Sequence, residues 1–589
     1  MRKFIGKILA WIGGLVVIGV VFIMVVATFA RSSKGKVPAQ TILEVNLETA
    51  VLEDEPDDPF AKLVGQSTPV LRDIVEALKK AEDDTRVAGI VARIGAAPMS
   101  MADAQEIRNA VAAFRAKKKF AIAFGETFGE FGPGNTSYYL ATAFDEIWLQ
   151  PSGDVGLTGL VMEGMFLKGT FDKLGIVPRM DHRFEYKNAM NMYTEKKFTA
   201  AHREAMEKIR DSFFDQMVDG IAKGRKLTAD QVKALVDKGP FLGKEAVDAK
   251  LVDGIAYRDE VFEKVKQKGP SGAEMLYLSK YLDRAGRPHD SGPVVALIHG
   301  TGGVTRGKSE YSPGGGGTMG SETVTAAFRD AIRDKNVKAI LFRVDSPGGS
   351  YVASDAIWRE TIRAKKAGKP VIVSMGSVAG SGGYFVAMAA DKIVAQPGTI
   401  TGSIGVLGGK LLTNGLWDKL GISWDEVHAG QNSRMFSTTA DYSKEEWDRF
   451  QQWLNRVYED FTSKVAEGRK LPKEKVQQIA KGRIWSGADA KSIGLVDDLG
   501  GYDVALKHVR QAIKIKDSDT VTLRTYPRKR TPFEALTAKL SGDEGESSEA
   551  KQAELMLKMI ESIRPVMKVM KSIDATQHDV LSMPEIRVR

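Results

Sequence analysis

The sequence contains no cysteine among its 589 residues. This absence excludes a disulfide framework, a zinc-thiolate site and a cysteine nucleophile. It does not determine the cellular compartment, because a chain without cysteine tolerates oxidising and reducing conditions equally. The chemistry of this protein must therefore use other side chains.

Dense blocks of one charge sign are also missing. The formal net charge of +9 is spread over the whole chain, and no basic cluster resembles a nucleic-acid groove. We therefore expect a solvated surface and no nucleic-acid partner.

Long apolar runs are absent except for one, at residues 8–30, which contains no charged residue. At 1.5 Å per residue this run spans about 34 Å as a helix, enough for a bilayer. A cleaved signal peptide has a shorter apolar region of about 7–15 residues, so a retained transmembrane anchor is preferred. Basic residues flank both ends of the run equally, so they do not set its orientation.

The chain repeats itself with an offset of about 246 positions. YYLATAFDEIWLQP, starting at Tyr138, matches YFVAMAADKIVAQP, starting at Tyr384, and GRKL at Gly224 matches GRKL at Gly468. Several such pairs in the same order indicate two tandem copies of one domain. We predict an anchor segment at 1–36, an N-terminal domain at 37–265, a linker at 266–290, a C-terminal domain at 291–516 and a tail at 517–589 with a helical segment.

Strand and helix patterns alternate within each copy, which predicts an α/β fold with chemistry at the strand ends. Ser381 lies between glycines where a strand meets a helix, a setting that suits a nucleophile. The turn at Gly348 and Gly349 ends the preceding strand. The backbone N–H groups of Gly349 and Gly382 are predicted to bind a developing oxyanion.

The segments RVDSPGGS, SVAGSGGYFVA and GSIGV resemble the signal peptide peptidase A (protease IV) family, peptidase family S49, in its long duplicated form. That resemblance implies two Clp/crotonase-like domains of β-β-α units. It also implies a serine protease in which a lysine base lies in a Tyr-Lys segment of the N-terminal copy. FEYKNAM places that lysine at Lys187. No metal or organic cofactor is expected.

The same resemblance implies the biological setting. Its substrates would be signal peptides left in the membrane after cleavage. The catalytic part would lie on the periplasmic side of the inner membrane, held by residues 8–30, and the chain would form a ring-like oligomer, most often a tetramer.

Aligning the two copies provides a separate argument. Ser381 corresponds to Asn135, the Ser-Pro-Gly-Gly turn corresponds to the segment GAAP at 95–98, and Lys187 corresponds to Ser433. Each copy thus lacks what the other retains. This complementary loss predicts one composite site with a Ser381/Lys187 dyad, whether within one chain or between chains.

A lysine base must be neutral near pH 7, so its pKa must fall from about 10.4 by roughly three units. Burial of the segment around Lys187, which contains Phe184, Tyr186, Met190 and Met192, would supply this shift. Ser403, in TGSIGV, is predicted to hydrogen-bond the lysine and orient it.

Four alternatives carry less weight. Residues 302–309, GGVTRGKS, match a phosphate-binding loop, but the EYSPGGGG that follows cannot open the required helix, so no nucleotide is expected. The second alternative is a Ser-His-Asp triad, in which His299 would be the histidine. A crotonase-type acyl-CoA enzyme needs acidic residues rather than a serine between glycines, and an inactive membrane scaffold would show random rather than complementary loss.

Overall fold

The computed structural model describes residues 35–54, 68–312, 316–528, 581–582 and 587–588. The predicted membrane anchor at 8–30 and the predicted tail helix at 553–570 lie outside these ranges. Among the residues that are described, no helix is both long enough and apolar enough to cross a membrane.

The first half of the chain, residues 35–285, alternates strands and helices. Its strands are β1 Thr41–Leu47, β2 Val87–Ile94, β3 Phe120–Gly125, β4 Glu146–Leu149, β5 Asp154–Val155, β6 Met162–Glu163, β7 Val177–His182, β8 Phe241–Leu242, β9 Gly254–Ile255 and β10 Glu274–Tyr277. Its helices are α1 Leu71–Glu82, α2 Met101–Ala116, α3 Asn135–Ala141, α4 Lys168–Leu174, α5 Asn191–Thr194, α6 Ala200–Arg225, α7 Ala229–Val236, α8 Gly243–Asp248, α9 Arg258–Lys268 and α10 Leu278–Ala285.

The second half follows the same scheme. Its strands are β11 Val294–Thr301, β12 Gly303–Thr305, β13 Tyr311–Ser312, β14 Gly316–Gly320, β15 Val337–Ser346, β16 Gly348–Gly349, β17 Val371–Gly380, β18 Lys392–Ala395, β19 Ile400–Gly402, β20 Leu407–Leu412, β21 Ile484–Ser486, β22 Asp498–Leu499, β23 Thr522–Tyr526, β24 Leu581–Ser582 and β25 Arg587–Val588. Its helices are α11 Ser321–Arg333, α12 Tyr351–Lys366, α13 Gly382–Ala387, α14 Asn414–Lys419, α15 Lys444–Arg469, α16 Lys473–Ile479, α17 Gly487–Ile493 and α18 Tyr502–Ala512.

Each half is built on one main sheet. The first sheet has the order β10-β1-β2-β3-β4-β9, and all of its strands are parallel. The second has the order β21-β19-β17-β15-β11-β23, and β18 also pairs with β17 while β22 pairs with β18. Their central strands are nearly continuous apolar runs, as expected for parallel strands covered by helices on both faces. The predicted α/β class is confirmed.

Matching contacts recur in the two halves. The Tyr138 hydroxyl donates to the carbonyl oxygen of Leu251 at 2.7 Å, and the Tyr384 hydroxyl donates to that of Leu495 at 2.9 Å. Both tyrosines are wholly buried. The repeated sequence segments therefore hold equivalent places around their sheets.

Helices α6 and α15, the two longest among the described residues, also share their end signals. Each is 26 residues long and is capped by a hydroxyl, Thr199 or Ser443, that accepts from a first-turn N–H group. Each ends at a lysine of the repeated GRKL, Lys226 or Lys470, in the left-handed conformation. The repeat thus encodes a helix of fixed length in both halves.

The predicted linker at 266–290 is not an irregular connection. Strand β10 pairs in parallel with β1, and helix α10 buries Leu278, Tyr281 and Leu282 against the first core. The segment looks polar because the exposed faces of both short elements are charged. Likewise, β23 lies in the predicted tail but pairs with β11, so the second sheet extends beyond residue 516.

A buried cation connects the halves. The guanidinium of Arg343, on β15, is wholly buried and forms ion pairs with Glu53 at 2.7 Å and with Glu106 at 3.0 Å. Both glutamates belong to the first half. A second connection is the antiparallel pairing of β7 with β20, one strand from each half. The Arg343 ion pairs and the β7–β20 pairing therefore join the two halves at two separate places.

Candidate active site

Ser381 occupies a sharp turn between β17 and α13. Its φ of 54° and ψ of −116° are unusual for a residue with a side chain, and the residue is wholly buried. Its N–H donates to the carbonyl of Gly402 at 2.9 Å, which helps to fix this conformation. Strain of this kind is often found at functional sites, where the surrounding structure maintains it.

The glycine that follows allows a close approach to the neighbouring turn. A Cβ atom on Gly382 would lie 2.8 Å from Ser354 Oγ and 3.0 Å from the backbone nitrogen of Gly349. Only glycine fits between the serine turn and the Gly348–Gly349 turn without displacing one of them. The two turns that the sequence singled out are therefore in direct contact.

Lys187 reaches Ser381 from the other half of the chain. Its Nζ lies 2.8 Å from Ser381 Oγ, 3.0 Å from Ser403 Oγ and 3.1 Å from the Ser403 carbonyl oxygen. The lysine is wholly buried. The structure thus places Lys187 within hydrogen-bond distance of both Ser381 and Ser403, and it does so within one chain.

The antiparallel pairing of β7 with β20 explains how Lys187 comes to lie beside Ser381. His182 at the end of β7 lies opposite Leu407, so the following loop continues along the second half. Arg183 N–H then donates to Val406 O at 3.0 Å, and Tyr186 N–H donates to Lys481 O at 3.2 Å. The loop that carries Lys187 is therefore bound as an insertion into the second half.

Two glycines of the second half make room for this insertion. A Cβ atom on Gly482, whose φ is +81°, would lie 2.5 Å from the backbone nitrogen of Lys187. A Cβ atom on Gly405 would lie 3.2 Å from Lys187 Cδ. Sequence reasoning missed both residues, although Gly405 lies two positions after Ser403 in the GSIGV motif.

Burial lowers the pKa of Lys187 well below its usual value, because the charged amine would lose its hydration. The oxygens that contact it are hydroxyls and a carbonyl, none of which carries a charge to stabilise an ammonium. A neutral amine has two N–H groups and one lone pair. Such an amine can donate its N–H groups to the carbonyl and hydroxyl of Ser403 and accept from the Ser381 hydroxyl with its lone pair.

Ser403 owes its position to its own unusual backbone. It follows β19 with a φ of +50°, and its N–H donates to Arg483 O at 2.7 Å. Both its carbonyl and its hydroxyl are thereby turned towards Lys187. Two hydrogen-bonding atoms from one residue fix the direction of the amine.

The predicted oxyanion glycines lie beside the serine. Gly349 has a φ of +154° and Gly348 a φ of +101°, conformations that favour glycine. Gly382 opens α13, so its N–H has no acceptor within the helix. The N–H groups of Gly349 and Gly382 thus come from adjacent segments, as an oxyanion site requires.

The positions related to the dyad by the repeat have different surroundings. Asn135 is buried, and its Oδ1 accepts from the N–H groups of Thr158 and Gly159 at 3.1 Å each. Ser433 is exposed and donates to Gly430 O at 2.8 Å. The first of these residues supports a loop and the second lies on the surface.

The two alternative predictions concern residues 302–309 and His299. After Lys308 and Ser309 the chain enters β13 rather than a helix, so the phosphate-loop context is missing, as expected. The His299 ring lies 3.3 Å from the Tyr502 hydroxyl and 3.6 Å from Asp54. Its contacts therefore belong to the buried network around Arg343.

That network is a further feature that the sequence did not reveal. Burial raises the pKa of Glu53 to about 8, although Arg343 opposes the shift. Burial also raises the pKa of Asp103 to about 6, and the nearby Asp345 adds to this effect. Asp345 accepts from Val378 N–H at 2.8 Å, on the strand that leads to Ser381.

A large cavity adjoins the Gly348–Gly349 turn. It has a volume of about 820 Å³ and begins at Ser350 and Tyr351. Most of its surface is apolar. Its larger apolar side chains are Tyr351, Met435, Phe436, Tyr442, Phe450 and Trp453.

Comparison with known proteins gives consistent results. The model of the family described as "Peptidase family S49" matches residues 114–270 and 363–516. "Protease 4" of Salmonella typhi is 35% identical over 461 residues, which cover 76% of this chain and 72% of that protein. "Protease 4" of Haemophilus influenzae is 30% identical and covers 88% of both chains.

A solved structure of a ClpP1 mutant from Listeria monocytogenes matches 36% of this chain and 94% of its own, at 15% identity. The TM-score of 0.23 is too low for this likeness to support a structural conclusion.

Proposed function

This chain belongs to peptidase family S49 and is a serine protease, and we propose that it works through a Ser381/Lys187 dyad shared between its two halves. The observation that carries the proposal is the contact of 2.8 Å between Lys187 Nζ and Ser381 Oγ, both wholly buried. A buried neutral amine that faces a strained serine suits a general base and a nucleophile.

In the first step, Lys187 accepts the proton of the Ser381 hydroxyl while Oγ attacks the carbonyl carbon of a peptide bond. The N–H groups of Gly349 and Gly382 stabilise the oxyanion of the tetrahedral intermediate. Lys187 then gives its proton to the departing amine, which leaves an acyl ester on Ser381. Water, deprotonated by the same lysine, hydrolyses this ester and restores the hydroxyl.

Ser403 serves as a positioning residue in this scheme. Its hydroxyl and carbonyl hold the amine at 3.0 and 3.1 Å, so the lone pair keeps its direction towards Ser381. The dry surroundings of the amine lower its pKa well below the usual value, which favours the unprotonated form that a base requires.

The substrates, we propose, are apolar peptides, in particular signal peptides left in the membrane after cleavage. The apolar cavity beside Ser350 and Tyr351 is large enough for bulky side chains of such a peptide. An anchor at residues 8–30 would keep the site near the bilayer that holds these substrates.

The proposed architecture is a duplicated Clp-like protein. One domain comprises the first sheet with its helices and supplies the base, and the other comprises the second sheet and supplies the nucleophile. The catalytic part would lie on the periplasmic side of the inner membrane, and four chains would form a ring.

Hydrolysis of an apolar fluorogenic peptide by the detergent-solubilised protein tests the proposal. We expect Ser381→Ala and Lys187→Ala each to abolish turnover, whereas Ser433→Ala, the repeat-related control, should leave it unchanged. Full activity of either dyad variant would refute the assignment. Crosslinking in detergent micelles tests the tetramer separately.

A further inference from the structure

The large apolar cavity beside Ser350 has a counterpart in the first half of the chain. At the repeat offset of 246, Lys410 on β20 corresponds to Gly164. At the offset of 244 that relates α15 to α6, Phe450 corresponds to Met206. Lys410 and Phe450 line the large cavity, and Gly164 and Met206 line a small pocket of the first half. The two spaces therefore occupy equivalent places in the two halves.

The two equivalent spaces differ greatly in size. The pocket of the first half has a volume of about 30 Å³, against about 820 Å³ for the cavity of the second. The rings of Phe166 and Phe198 meet edge-on in the first half with centroids 5.3 Å apart, and Phe198 meets His202 at 4.7 Å. All three rings line the small pocket and fill this place. The open cavity thus accompanies Ser381, the nucleophile that the first half lacks.

The charged side chains that line the open cavity are all basic. Among the described residues, its lining includes no aspartate or glutamate, and its basic residues are Arg306, Lys410, Arg449 and Arg456. The positions of the first half that correspond to Arg449 and Arg456 hold Ala205 and Ser212. The basic residues are therefore a feature of the open cavity and not of the repeat in general.

The lysine and the arginines have different surroundings. Lys410 is buried, and its amine donates to the carbonyl oxygens of Met435 at 3.0 Å and Ala440 at 2.6 Å, so it holds the loop before α15. The three arginines are exposed. Within the part of the chain that the structure describes, none of the three forms an ion pair. Their guanidinium groups are therefore placed to bind an anion at the rim of the cavity.

An apolar space with guanidinium groups at its rim fits a ligand that is both apolar and anionic. Guanidinium groups bind carboxylates through paired, charge-assisted hydrogen bonds. The wall behind them is aromatic, with Tyr442 stacked on Phe450 at 5.6 Å and Phe450 stacked on Trp453 at 6.2 Å. Such a wall binds bulky apolar side chains. A peptide with bulky apolar side chains and a carboxylate satisfies both parts of the cavity.

We propose that Arg306, Arg449 and Arg456 bind a carboxylate of the peptide substrate while its apolar side chains occupy the cavity. The proposal rests on the proposed function, because it takes the cavity beside Ser350 as part of the substrate site. Hydrolysis of an internal peptide bond creates a new α-carboxylate that the intact chain lacks. A site for this group distinguishes peptides released by an earlier endoproteolytic reaction from intact proteins.

Binding of three labelled peptides tests the proposal without requiring turnover. The receptor is the full-length Ser381→Ala chain in dodecyl maltoside. The probes are fluorescein-labelled peptides of alternating alanine and leucine that end in a free carboxylate, end in an amide, or end in an amide but carry one internal glutamate. We expect the free acid to bind about tenfold more tightly than the plain amide, since a hydrogen bond to a charged group is lost in the amide.

The glutamate peptide distinguishes the two sources of the carboxylate. If it binds as weakly as the plain amide, the site recognises a peptide end. If it binds as tightly as the free acid, the site accepts any carboxylate of an apolar peptide, and the proposal stands in that form. Equal binding of all three peptides would overturn it.

Replacement of the arginines supplies the matched comparison. In a receptor that also carries Arg306→Gln, Arg449→Gln and Arg456→Gln, the free acid should bind no more tightly than the amide. Binding of the amide should change less than about twofold, because the apolar walls remain, and this result shows that the receptor is folded. Arg359→Gln removes an exposed arginine of α12 outside the cavity lining and should leave the preference for the acid intact.

Two results of this comparison would contradict the proposal. One is a preference for the free acid that survives replacement of the three arginines. The other is displacement of the acid and the amide alike by sodium oleate, with no difference between the two peptides, since the arginines would then serve an anionic lipid.

Steady-state kinetics separate this proposal from the catalytic one. With the active chain, the KM of a fluorogenic apolar peptide should be about fivefold lower or more for the free acid than for the amide, while kcat stays the same. If no peptide is hydrolysed but binding differs as described, the Ser381/Lys187 assignment fails and the carboxylate site stands. If both peptides are hydrolysed with the same KM and bind equally, the catalytic assignment stands and the carboxylate site fails.

Discussion

Replacement of Lys187 by methionine separates the role of the amine from that of its volume. Methionine fills similar space but cannot accept the Ser381 proton. A positioned general base typically contributes about 10²–10⁴ in rate. At 1.36 kcal/mol for each factor of ten, we expect kcat/KM to fall by an equivalent of about 2.7–5.4 kcal/mol in activation free energy.

The pH dependence supplies a sharper criterion. Burial lowers the pKa of Lys187, so activity should rise with pH as the folded amine loses its proton, and should then level off. The acid limb should have a slope of one on a logarithmic plot of kcat/KM. The methionine variant should lack this limb in its residual activity.

The free energy of unfolding should also depend on pH through Lys187. Between the lowered folded pKa of Lys187 and its unfolded value of about 10.4, the unfolded chain binds one more proton, so the free energy of unfolding rises with pH. The methionine variant should lose this contribution to the slope. Urea unfolding at several pH values measures it.

Lys369 provides the matched control, because it is also a buried lysine. It donates to two backbone carbonyls, those of Ala331 and Asp334, at 2.6 Å each, and lies away from Ser381. Lys369→Met should leave kcat unchanged but should destabilise the protein by about 1–3 kcal/mol, since buried acceptors lose their donor. Equal loss of activity in both variants would refute the reasoning.

Three further predictions concern the surroundings of the dyad. Ser403→Ala removes one of the contacts that orient the Lys187 amine, so kcat should fall about tenfold with KM unchanged, as one lost hydrogen bond of about 1.4 kcal/mol implies; steady-state kinetics that show no change would contradict its positioning role. Gly349→Ala would force a side chain against the Val304 carbonyl and shift the oxyanion N–H, so kcat should fall about 10²–10³-fold, measured beside an unchanged circular dichroism spectrum. Arg343→Met leaves two buried glutamates without their cation and should lower the free energy of unfolding by about 3–5 kcal/mol in urea titrations; a stability equal to wild type would show that the ion pairs do not hold the halves together.

The sequence alone was sufficient to predict the local backbone setting of Ser381. A serine between glycines at the junction of an apolar strand and a helix is a short-range pattern, and the structure has that junction at Ser381. The α/β class follows from the same kind of pattern, because hydrophobic periodicity reports which faces are buried. The pairing of Ser381 with Lys187 came from the family resemblance, and the repeat supported it because it compares positions that are distant along the chain.

The sequence patterns did not predict the short elements that have charged outer faces. Strand β10 has only four residues, and its pairing with β1 depends on a partner more than two hundred positions away. The same holds for the pairing of β23 with β11 and of β24 with β16. The amino-acid composition of a short strand does not show which distant strand will be its hydrogen-bonding partner.

The sequence by itself predicts the chemistry of the site, namely Ser381 as the nucleophile and Lys187 as the base, each in the copy that retains it. The burial of the amine and its contact with the serine follow from the tertiary structure. That outcome depends on the pairing of β7 with β20 and on the space left by Gly482, which bring residues 194 positions apart within 2.8 Å. The pKa of a lysine is a property of its surroundings, and these surroundings exist only once the two halves are packed together.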